Sequence, residues 1–154
     1  MINYLLANTD EEYSVAKELF AEYAVAINVD LKFQQFNKEL ETLTEMYGPP
    51  HGGIILAKEA EDFVGCVAIR KISDTIGELK RMYVRPQHQN KGLGKALLSK
   101  AIELAQACKY KTIRLDTLNG MLSAISLYKQ AGFYQIEPYY YNPISSAIYF
   151  EKEI

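Results

Sequence analysis

The stretch MYVRPQHQNKGLGKALL, residues 82–98, is the most informative part of this chain. It predicts a strand, a tight basic turn with two glycines, and the start of an amphipathic helix. Such a junction gathers unpaired backbone N–H groups at a helix N-terminus, where the helix dipole also attracts anions. Gly92 and Gly94 let a phosphate approach the backbone closely, and Lys91 and Lys95 make the turn basic. The pattern therefore predicts a site for a phosphorylated cofactor.

Two common nucleotide motifs do not fit this turn. A Walker loop needs glycine where this chain has Gln89 and a hydroxyl where it has Ala96. A dinucleotide fingerprint needs a third glycine, and Leu97 fills that position. The two glycines would also suit an ordinary turn that only caps a helix, so the rest of the chain must decide.

Residues 89–94, QNKGLG, match the Gln/Arg-x-x-Gly-x-Gly/Ala signature of the GNAT N-acetyltransferase superfamily. Residues 127–133, LYKQAGF, resemble the Leu-Tyr-x-x-x-Gly-Phe segment that ends the second helix of that family's conserved region. Residues 115–118 (LDTL) and 139–143 (YYYNP) resemble segments of its small bacterial members. The resemblance extends over the whole chain. It implies an α+β GNAT fold, in which a central mixed, mostly antiparallel, twisted sheet of six to seven strands is flanked by about four helices.

Composition indicates a folded domain without a nucleic-acid or membrane partner. The 154 residues suit a single domain over residues 1–154, with 49% apolar and 23% charged residues. A net charge of −2 argues against nucleic-acid binding, and no apolar run approaches the ~20 residues that span a bilayer. The N-terminus lacks the pattern of a signal peptide. Two cysteines do not make a disulfide framework, and together these features predict a cytoplasmic protein.

Apolar periodicity, caps and turn residues predict the elements of this domain. Thr9 is the expected N-cap of a first helix that extends to Ala26. Gly132 is expected to end the last helix in the left-handed conformation. Further helices are predicted at Phe33 to Met46, Ala96 to Cys108 and Leu122 to Gln130, and strands at Ile2 to Leu6, Gly53 to Lys58, Asp62 to Ile72, Gly77 to Val84, Thr112 to Asp116, Phe133 to Ile136 and Ala147 to Glu151.

The resemblance implies acetyl-CoA (coenzyme A) as cofactor. Met82, Tyr83 and Val84 are then expected to pair through their backbone with the pantetheine arm, and the Met82 N–H to donate to the thioester carbonyl. Family members often carry an asparagine where this chain has Met121, so Asn119 is the polar candidate there, with a role as helix cap as its alternative. The remaining cofactor-binding candidates are Gln89, Asn90, Lys91, Gly92, Leu93, Gly94, Lys95, Ala124 and Tyr128.

Acetyl transfer to an amine needs a base and gains from an acid. A free alkylammonium, with a pKa of about 10.4, must lose a proton before it attacks. Glu78 lies eleven residues before Gln89, where some family members place a catalytic glutamate; its alternative is an ordinary carboxylate paired with Lys80 or Arg114. Alternation along the strand predicts that Glu78, Lys80 and Met82 share one face. Tyr128 is the candidate acid for the leaving thiolate, with aromatic packing as its alternative.

The substrate side carries less information. Acceptor pockets in this superfamily are built largely from the first helices and the C-terminal strands, which makes Phe33, Tyr47, His51, Tyr139 and Tyr140 the candidates. Clustered tyrosines could hold an amine by cation–π contacts or form a hydrophobic rim. The two histidines have no partner at ligand spacing, so no metal site is predicted.

The predicted function is transfer of an acetyl group from acetyl-CoA to a primary amine, of a small molecule, by direct attack in a ternary complex. Two alternatives stay open: acetylation of a protein or peptide, and a catalytically silent acyl-CoA-binding sensor. Homodimers through the C-terminal strands are common in the family, which makes a homodimer one expected assembly.

Overall fold

The computed structural model describes residues 1–31 and 35–154. Its strands are β1 (Ile2–Leu6), β2 (Gly53–Glu59), β3 (Asp62–Lys71), β4 (Ile76–Val84), β5 (Thr112–Leu118), β6 (Tyr134–Ile136) and β7 (Ala147–Glu153). Its helices are α1 (Asp10–Ala26), α2 (Phe36–Glu41), α3 (Leu43–Met46), α4 (Leu93–Ala107) and α5 (Leu122–Gln130). Within the described ranges, no helix is both long enough and apolar enough to cross a membrane.

The seven strands form one mixed sheet in the order β1-β2-β3-β4-β5-β7-β6. Every neighbouring pair is antiparallel except β4 and β5, which are parallel and joined through α4. The predicted α+β class and the mostly antiparallel sheet are confirmed. The parallel step is the part of the sheet that matters most for function, because it lies beside the glycine turn.

Helices cover both faces of the sheet, and β2 shows why. Its residues alternate between two apolar clusters: Ile54 and Leu56 pack with α1, whereas Ile55 and Ala57 pack with α4. A strand that is apolar on both sides is typical of a sheet covered by helices on both faces. The two halves of this sheet separate between β4 and β5, and that opening holds the candidate site.

The first helix begins as predicted. The Thr9 hydroxyl accepts the Glu12 N–H at 3.2 Å, and the Glu12 carboxylate accepts the Thr9 N–H at 3.2 Å, which completes a capping box. The single helix predicted from Phe33 to Met46 is wrong over its described part. It divides into α2 and α3 at Thr42, whose backbone is not helical and whose hydroxyl donates to the Lys38 carbonyl at 2.8 Å.

Strand β4 carries a β-bulge that the sequence pattern missed. Ala68 of β3 pairs with Lys80 and Cys66 pairs with Tyr83, so the stretch between them on β4 holds one extra residue. Arg81 lies in this bulge with a left-handed φ of 58°. Simple alternation therefore fails, and Met82 packs with the cluster that contains Leu79 rather than on the face of Lys80.

Candidate active site

Strands β4 and β5 separate and leave two cavities between them. Their parallel pairing ends at Glu78 and Arg114, although both strands continue beyond these residues. The large cleft, with a volume of about 760 Å³, is lined by Met82, Tyr83, Val84, His88, Gln89, Asn90, Gly92, Leu93, Gly94, Lys95, Gly120, Met121, Leu122, Ser123, Ala124, Ser126 and Leu127.

The narrow pocket, with a volume of about 40 Å³, continues on the side of α1. It is lined by Tyr23, Ile27, Val29, Leu31, Leu79, Lys80, Arg81, Met82, Asp116, Thr117, Leu118, Met121, Tyr128, Asn142 and Ile144. Met82 and Met121 line both cavities, so a molecule in the large cleft would meet a molecule in the narrow pocket beside these two residues.

The glycine turn opens the N-terminus of α4 toward the large cleft. Gly92 is the N-cap residue with φ 82°, and its conformation follows a second left-handed residue, Asn90 with φ 63°. Among the described residues no side chain caps the helix, so the N–H groups of its first turn are available to a ligand. A Cβ on Gly94 would lie 3.0 Å from the Leu127 side chain. The absence of a side chain at Gly94 therefore lets α4 approach α5 closely beside the cleft. This geometry suits an anion such as a phosphate.

Most residues predicted to bind the cofactor line the large cleft, but three do not. Lys91 and Asn119 are exposed and outside its lining, and Tyr128 lines the narrow pocket instead. Asn119 also does not cap α5, because the N-cap residue is Met121 and no side-chain bond caps that helix. The polar contact considered for Asn119 therefore has no support in this geometry.

Four residues of α5 that sequence reasoning missed also line the large cleft: Leu122, Ser123, Ser126 and Leu127. Their spacing of three and four places them on one side of the helix. That spacing is the signal in the sequence that could have found them. In the structure, Leu122 is 73% exposed. An exposed leucine at the mouth of a cleft suits contact with an apolar part of a ligand.

Glu78, the predicted base, is only 2% exposed and does not line either cavity. Its carboxylate accepts a hydrogen bond from Arg70 Nε at 2.9 Å and from the Tyr139 hydroxyl at 2.6 Å, and Lys80 Nζ lies 3.8 Å away. Arg114, its other predicted partner, binds Glu151 instead. Burial lowers the pKa of Lys80, although the charge of Glu78 opposes this effect. Glu78 is therefore paired with the buried Lys80 and the half-buried Arg70 behind the pocket wall.

Asp116, which sequence reasoning did not select, is the carboxylate that lines the narrow pocket. The Tyr140 hydroxyl donates to its Oδ2 at 2.7 Å, which fixes the orientation of the side chain. Asp116 belongs to the LDTL segment at residues 115–118, so the motif that carried part of the resemblance was the available signal. Alternation along β5 also turns Asp116 away from the face of the buried Leu115.

Tyr128 lies in the narrow pocket as a buried side chain, 5% exposed. Its ring packs against Phe133 and Phe150, with centroids 5.8 Å and 6.4 Å away. Burial raises the pKa of the Tyr128 phenol above its usual value, and the nearby Asp116 charge acts in the same direction. The phenol is consequently neutral at physiological pH and able to donate a proton or a hydrogen bond.

The predicted acceptor residues do not form the wall of the narrow pocket. Tyr47 is fully buried in the core against Phe20, which leaves its side chain no surface to touch a substrate. His51 is exposed in a loop outside both linings, and its carbonyl accepts the Tyr110 hydroxyl. The hydroxyls of Tyr139 and Tyr140 are bound to the two carboxylates behind and beside the pocket.

A cation already occupies part of the tyrosine cluster that was expected to attract an amine. The Arg114 guanidinium lies 5.5 Å from the centre of the Tyr139 ring. Phe33, the fifth predicted acceptor residue, lies outside the described residues.

Neither cysteine is placed to act as a nucleophile. Cys66 is fully buried, burial raises the pKa of its thiol, and its Sγ donates to the Arg81 carbonyl at 3.2 Å. Cys108 lies at the end of α4, and burial raises the pKa of that thiol as well. A thiolate is the reactive form of cysteine, so this site does not favour a covalent intermediate on sulfur.

Comparison with known proteins agrees with this geometry. The model of the acetyltransferase (GNAT) family matches residues 15–133. An uncharacterised N-acetyltransferase of Schizosaccharomyces pombe is 38% identical over 140 residues, which cover 90% of this chain and 86% of that protein.

Two solved structures share the fold. An acetyltransferase from Streptococcus agalactiae superposes with a TM-score of 0.82 at 21% identity, covering 99% of this chain and 98% of that one. A GNAT family acetyltransferase from Elizabethkingia anophelis, solved with acetyl-CoA bound, superposes with a TM-score of 0.66 at 20% identity, covering 99% and 98% of the two chains.

Proposed function

The chain belongs to the acetyltransferase (GNAT) family, and we propose that it transfers an acetyl group from acetyl-CoA to a primary amine of a small molecule. The observation that carries the proposal is the junction of the two cavities at Met82 and Met121. The large cleft has backbone N–H donors and room for an extended molecule, and the narrow pocket has a carboxylate and a neutral phenol. Transfer between two bound molecules needs such an arrangement.

Acetyl-CoA is assigned to the large cleft. The N–H groups of the first turn of α4, from Leu93 to Lys95, would hold its diphosphate, and Gly92 would let it approach. The half-buried end of β4 from Met82 to Val84 would pair with the peptide-like pantetheine arm, as strands do with extended peptides. The bound acetyl-CoA of the Elizabethkingia anophelis protein supports the choice of this donor.

The amine is assigned to the narrow pocket, with Asp116 rather than Glu78 as the base. In the reaction, the amine nitrogen bonds to the thioester carbonyl carbon, and the carbon–sulfur bond breaks. Asp116 takes the proton that the amine loses, the Met82 N–H stabilises the oxyanion, and the Tyr128 hydroxyl donates to the leaving thiolate. Asp116 is preferred because it faces the pocket, whereas both oxygens of Glu78 are already bound.

The size of the narrow pocket favours a small amine. Its volume of about 40 Å³ is only a few times the roughly 10–15 Å³ that one water requires. The end of an alkylamine fits such a space, and the apolar side chains of Ile27, Val29 and Leu31 would contact its first carbon atoms. A peptide would have to insert a single lysine side chain or its N-terminus into this pocket.

The continuous sheet from β1 to β7 supports a single domain over residues 1–154. We further propose a cytoplasmic location, on the ground that both cysteines are free. A homodimer through the C-terminal strands stays a prediction, which light scattering of the purified protein would test.

The experiment is acetyl-CoA turnover, measured as release of free thiol, with pools of amines, polyamines, amino acids and peptides. Stimulation by a small-molecule pool, lost in an Asp116→Asn variant, is the expected result. Stimulation by the peptide pool alone would replace the small-molecule acceptor. Tight CoA binding without stimulation by any pool would favour the silent sensor and overturn the proposed transfer.

A further inference from the structure

The backbone of Arg81 is held in an unfavourable conformation next to the proposed oxyanion donor. Its φ of 58° is in the left-handed region, which residues with a Cβ rarely adopt and which persists only where the surroundings enforce it. Glycine is the usual residue for such a bulge. Something other than local preference must therefore keep Arg81 in place.

Contacts from distant parts of the chain surround the Arg81 side chain, which is 3% exposed. Its Nε donates to Glu39 Oε2 at 2.9 Å and its Nη2 to Glu39 Oε1 at 2.8 Å, a bidentate pair. The rings of Tyr23 and Phe36 lie 5.7 Å and 5.3 Å from the guanidinium. The Cys66 thiol donates to the Arg81 carbonyl. Three elements, α1, α2 and β3, thus contact this one residue of β4.

Met82 follows Arg81 in the chain, and its position depends on the bulge. Neither the β3–β4 nor the β4–β5 register gives Met82 a paired residue, although both strands on either side of β4 are fully described. Met82 also lines both cavities, where its N–H can serve a ligand, and a change of backbone angle at Arg81 would turn the peptide that carries it. A displacement of that donor would cost catalysis, because oxyanion donors act through accurate placement.

We propose that Glu39 and Arg81 form a positioning pair, which enforces the bulge of β4 and thereby directs the Met82 N–H toward the thioester carbonyl. This inference rests on the proposed function. It adds a role for Glu39, which lines neither cavity, and for Arg81, which lines the narrow pocket. It also explains the burial of a full ion pair, since buried pairs are often no more stabilising than neutral residues of similar size.

The test is the double variant Glu39→Gln/Arg81→Gln, which removes both charges and so leaves no unpaired buried charge. The matched control is Glu22→Gln/Arg85→Gln. That pair joins α1 to the residue that follows β4, with Arg85 Nη2 2.6 Å from Glu22 Oε2, and Arg85 lies beyond the bulge with φ −57°. Each protein is measured for kcat, for the KM of acetyl-CoA, and for the Kd of CoA, which lacks the acetyl carbonyl.

We expect the Glu39/Arg81 variant to lose about 10- to 100-fold in kcat, less than the 10²–10³-fold of a deleted donor because the N–H is misdirected rather than removed. Its Kd for CoA should stay within about threefold of the wild type. The control should keep its kcat. Wild-type kcat in the Glu39/Arg81 variant, or an equal loss in both double variants, would overturn the inference.

A second variant covers the case in which the double variant does not fold. Arg81→Lys keeps the buried charge but loses the two-pronged geometry of the guanidinium. A fall in kcat with unchanged CoA affinity supports the positioning role, and an unchanged kcat contradicts it. If the wild type itself neither binds CoA nor releases thiol from acetyl-CoA, the proposed function fails first, and that outcome is distinct from a defect confined to the variants.

Discussion

The large cleft and the narrow pocket meet at Met82, yet they are built from different groups. One wall of the cleft is formed by neighbours in sequence, since the end of β4, the glycine turn and the first turn of α4 lie within residues 82–95, and α5 forms the other wall. The pocket is formed by side chains from distant segments, and its charged and aromatic members are joined to partners far away in the chain. Glu39 pairs with Arg81 across 42 positions, and Tyr139 with Glu78 across 61.

Substitutions in the two cavities should therefore change different properties of the enzyme. A site made of backbone depends on chain geometry and should respond to substitutions that change φ, whatever their charge. A site made of buried side chains should respond to the loss of a single atom, because each polar group there has a specific partner. Substitutions in the cleft are therefore expected to change affinity, and those in the pocket to change turnover.

The largest effect is expected for Asp116→Asn in the narrow pocket. The amide keeps an oxygen that can accept from the Tyr140 hydroxyl, but it cannot take a proton from the amine. The kcat should fall by about 10²–10⁴-fold, the range for a positioned base, with little change in the KM of acetyl-CoA. Steady-state kinetics with a fixed amine measures this.

Glu78→Gln is the comparison for that experiment. A variant that keeps Asp116 should retain more activity than one that lacks it, once thermal unfolding has shown that both proteins are folded. The reverse order, with Glu78→Gln the more damaging of the two at equal stability, would return the role of base to Glu78.

The next largest effect is expected for Tyr128→Phe. Only the hydroxyl is lost, and the ring packing against Phe133 and Phe150 is kept. Because burial raises the pKa of the phenol, it stays protonated through the assay range, and its loss should lower kcat by about 10²-fold. CoA affinity, measured by calorimetry, should not change. An unchanged kcat would remove Tyr128 from the reaction.

The same division explains what the sequence could predict. The bounds predicted for α5, Leu122 to Gln130, agree with the structure residue for residue, and Gly132 has the left-handed φ of 96° expected after a helix end. Such features are local, as is the glycine turn. A motif that works through nearby backbone can be recognised from nearby residues.

The features that sequence reasoning missed depend on partners far away in the chain. An arginine gives no local signal for the left-handed bulge at residue 81, because the grip of Glu39, Tyr23 and Phe36 creates it. The different surroundings of Glu78 and Asp116 have the same origin. Arg70 and Tyr139 close off one carboxylate, and only the folded sheet brings them to it.

In the large cleft, Gly92→Val should weaken binding of acetyl-CoA by about tenfold without a comparable loss of kcat. A Cβ at Gly92 would meet no other atom of the described residues within 4 Å, but Gly92 has a φ of 82°, and a left-handed residue with a Cβ costs roughly 1–2 kcal/mol. Gly92→Asn is the matched control, because asparagine tolerates this conformation better. Equal losses in both variants would show that side-chain volume, rather than backbone angle, limits binding.

The smallest effect is expected in the free energy of unfolding of the protein at acid pH. Burial raises the pKa of Glu39, but the hydrogen bonds and charge of Arg81 outweigh burial and leave the pKa below its ordinary value. A carboxyl with a lowered folded-state pKa stabilises the protein above its unfolded pKa, about 4.3, and this contribution is lost as the pH falls through the folded-state value. The free energy of unfolding of the wild type should therefore fall more steeply below about pH 4.3 than that of Glu39→Gln/Arg81→Gln.

Glu22 and Glu151 also have lowered pKa values, but both proteins retain them, so their contribution cancels in the difference. Denaturant unfolding at a series of pH values measures it, and parallel curves would mean that the buried pair is not coupled to protonation of Glu39.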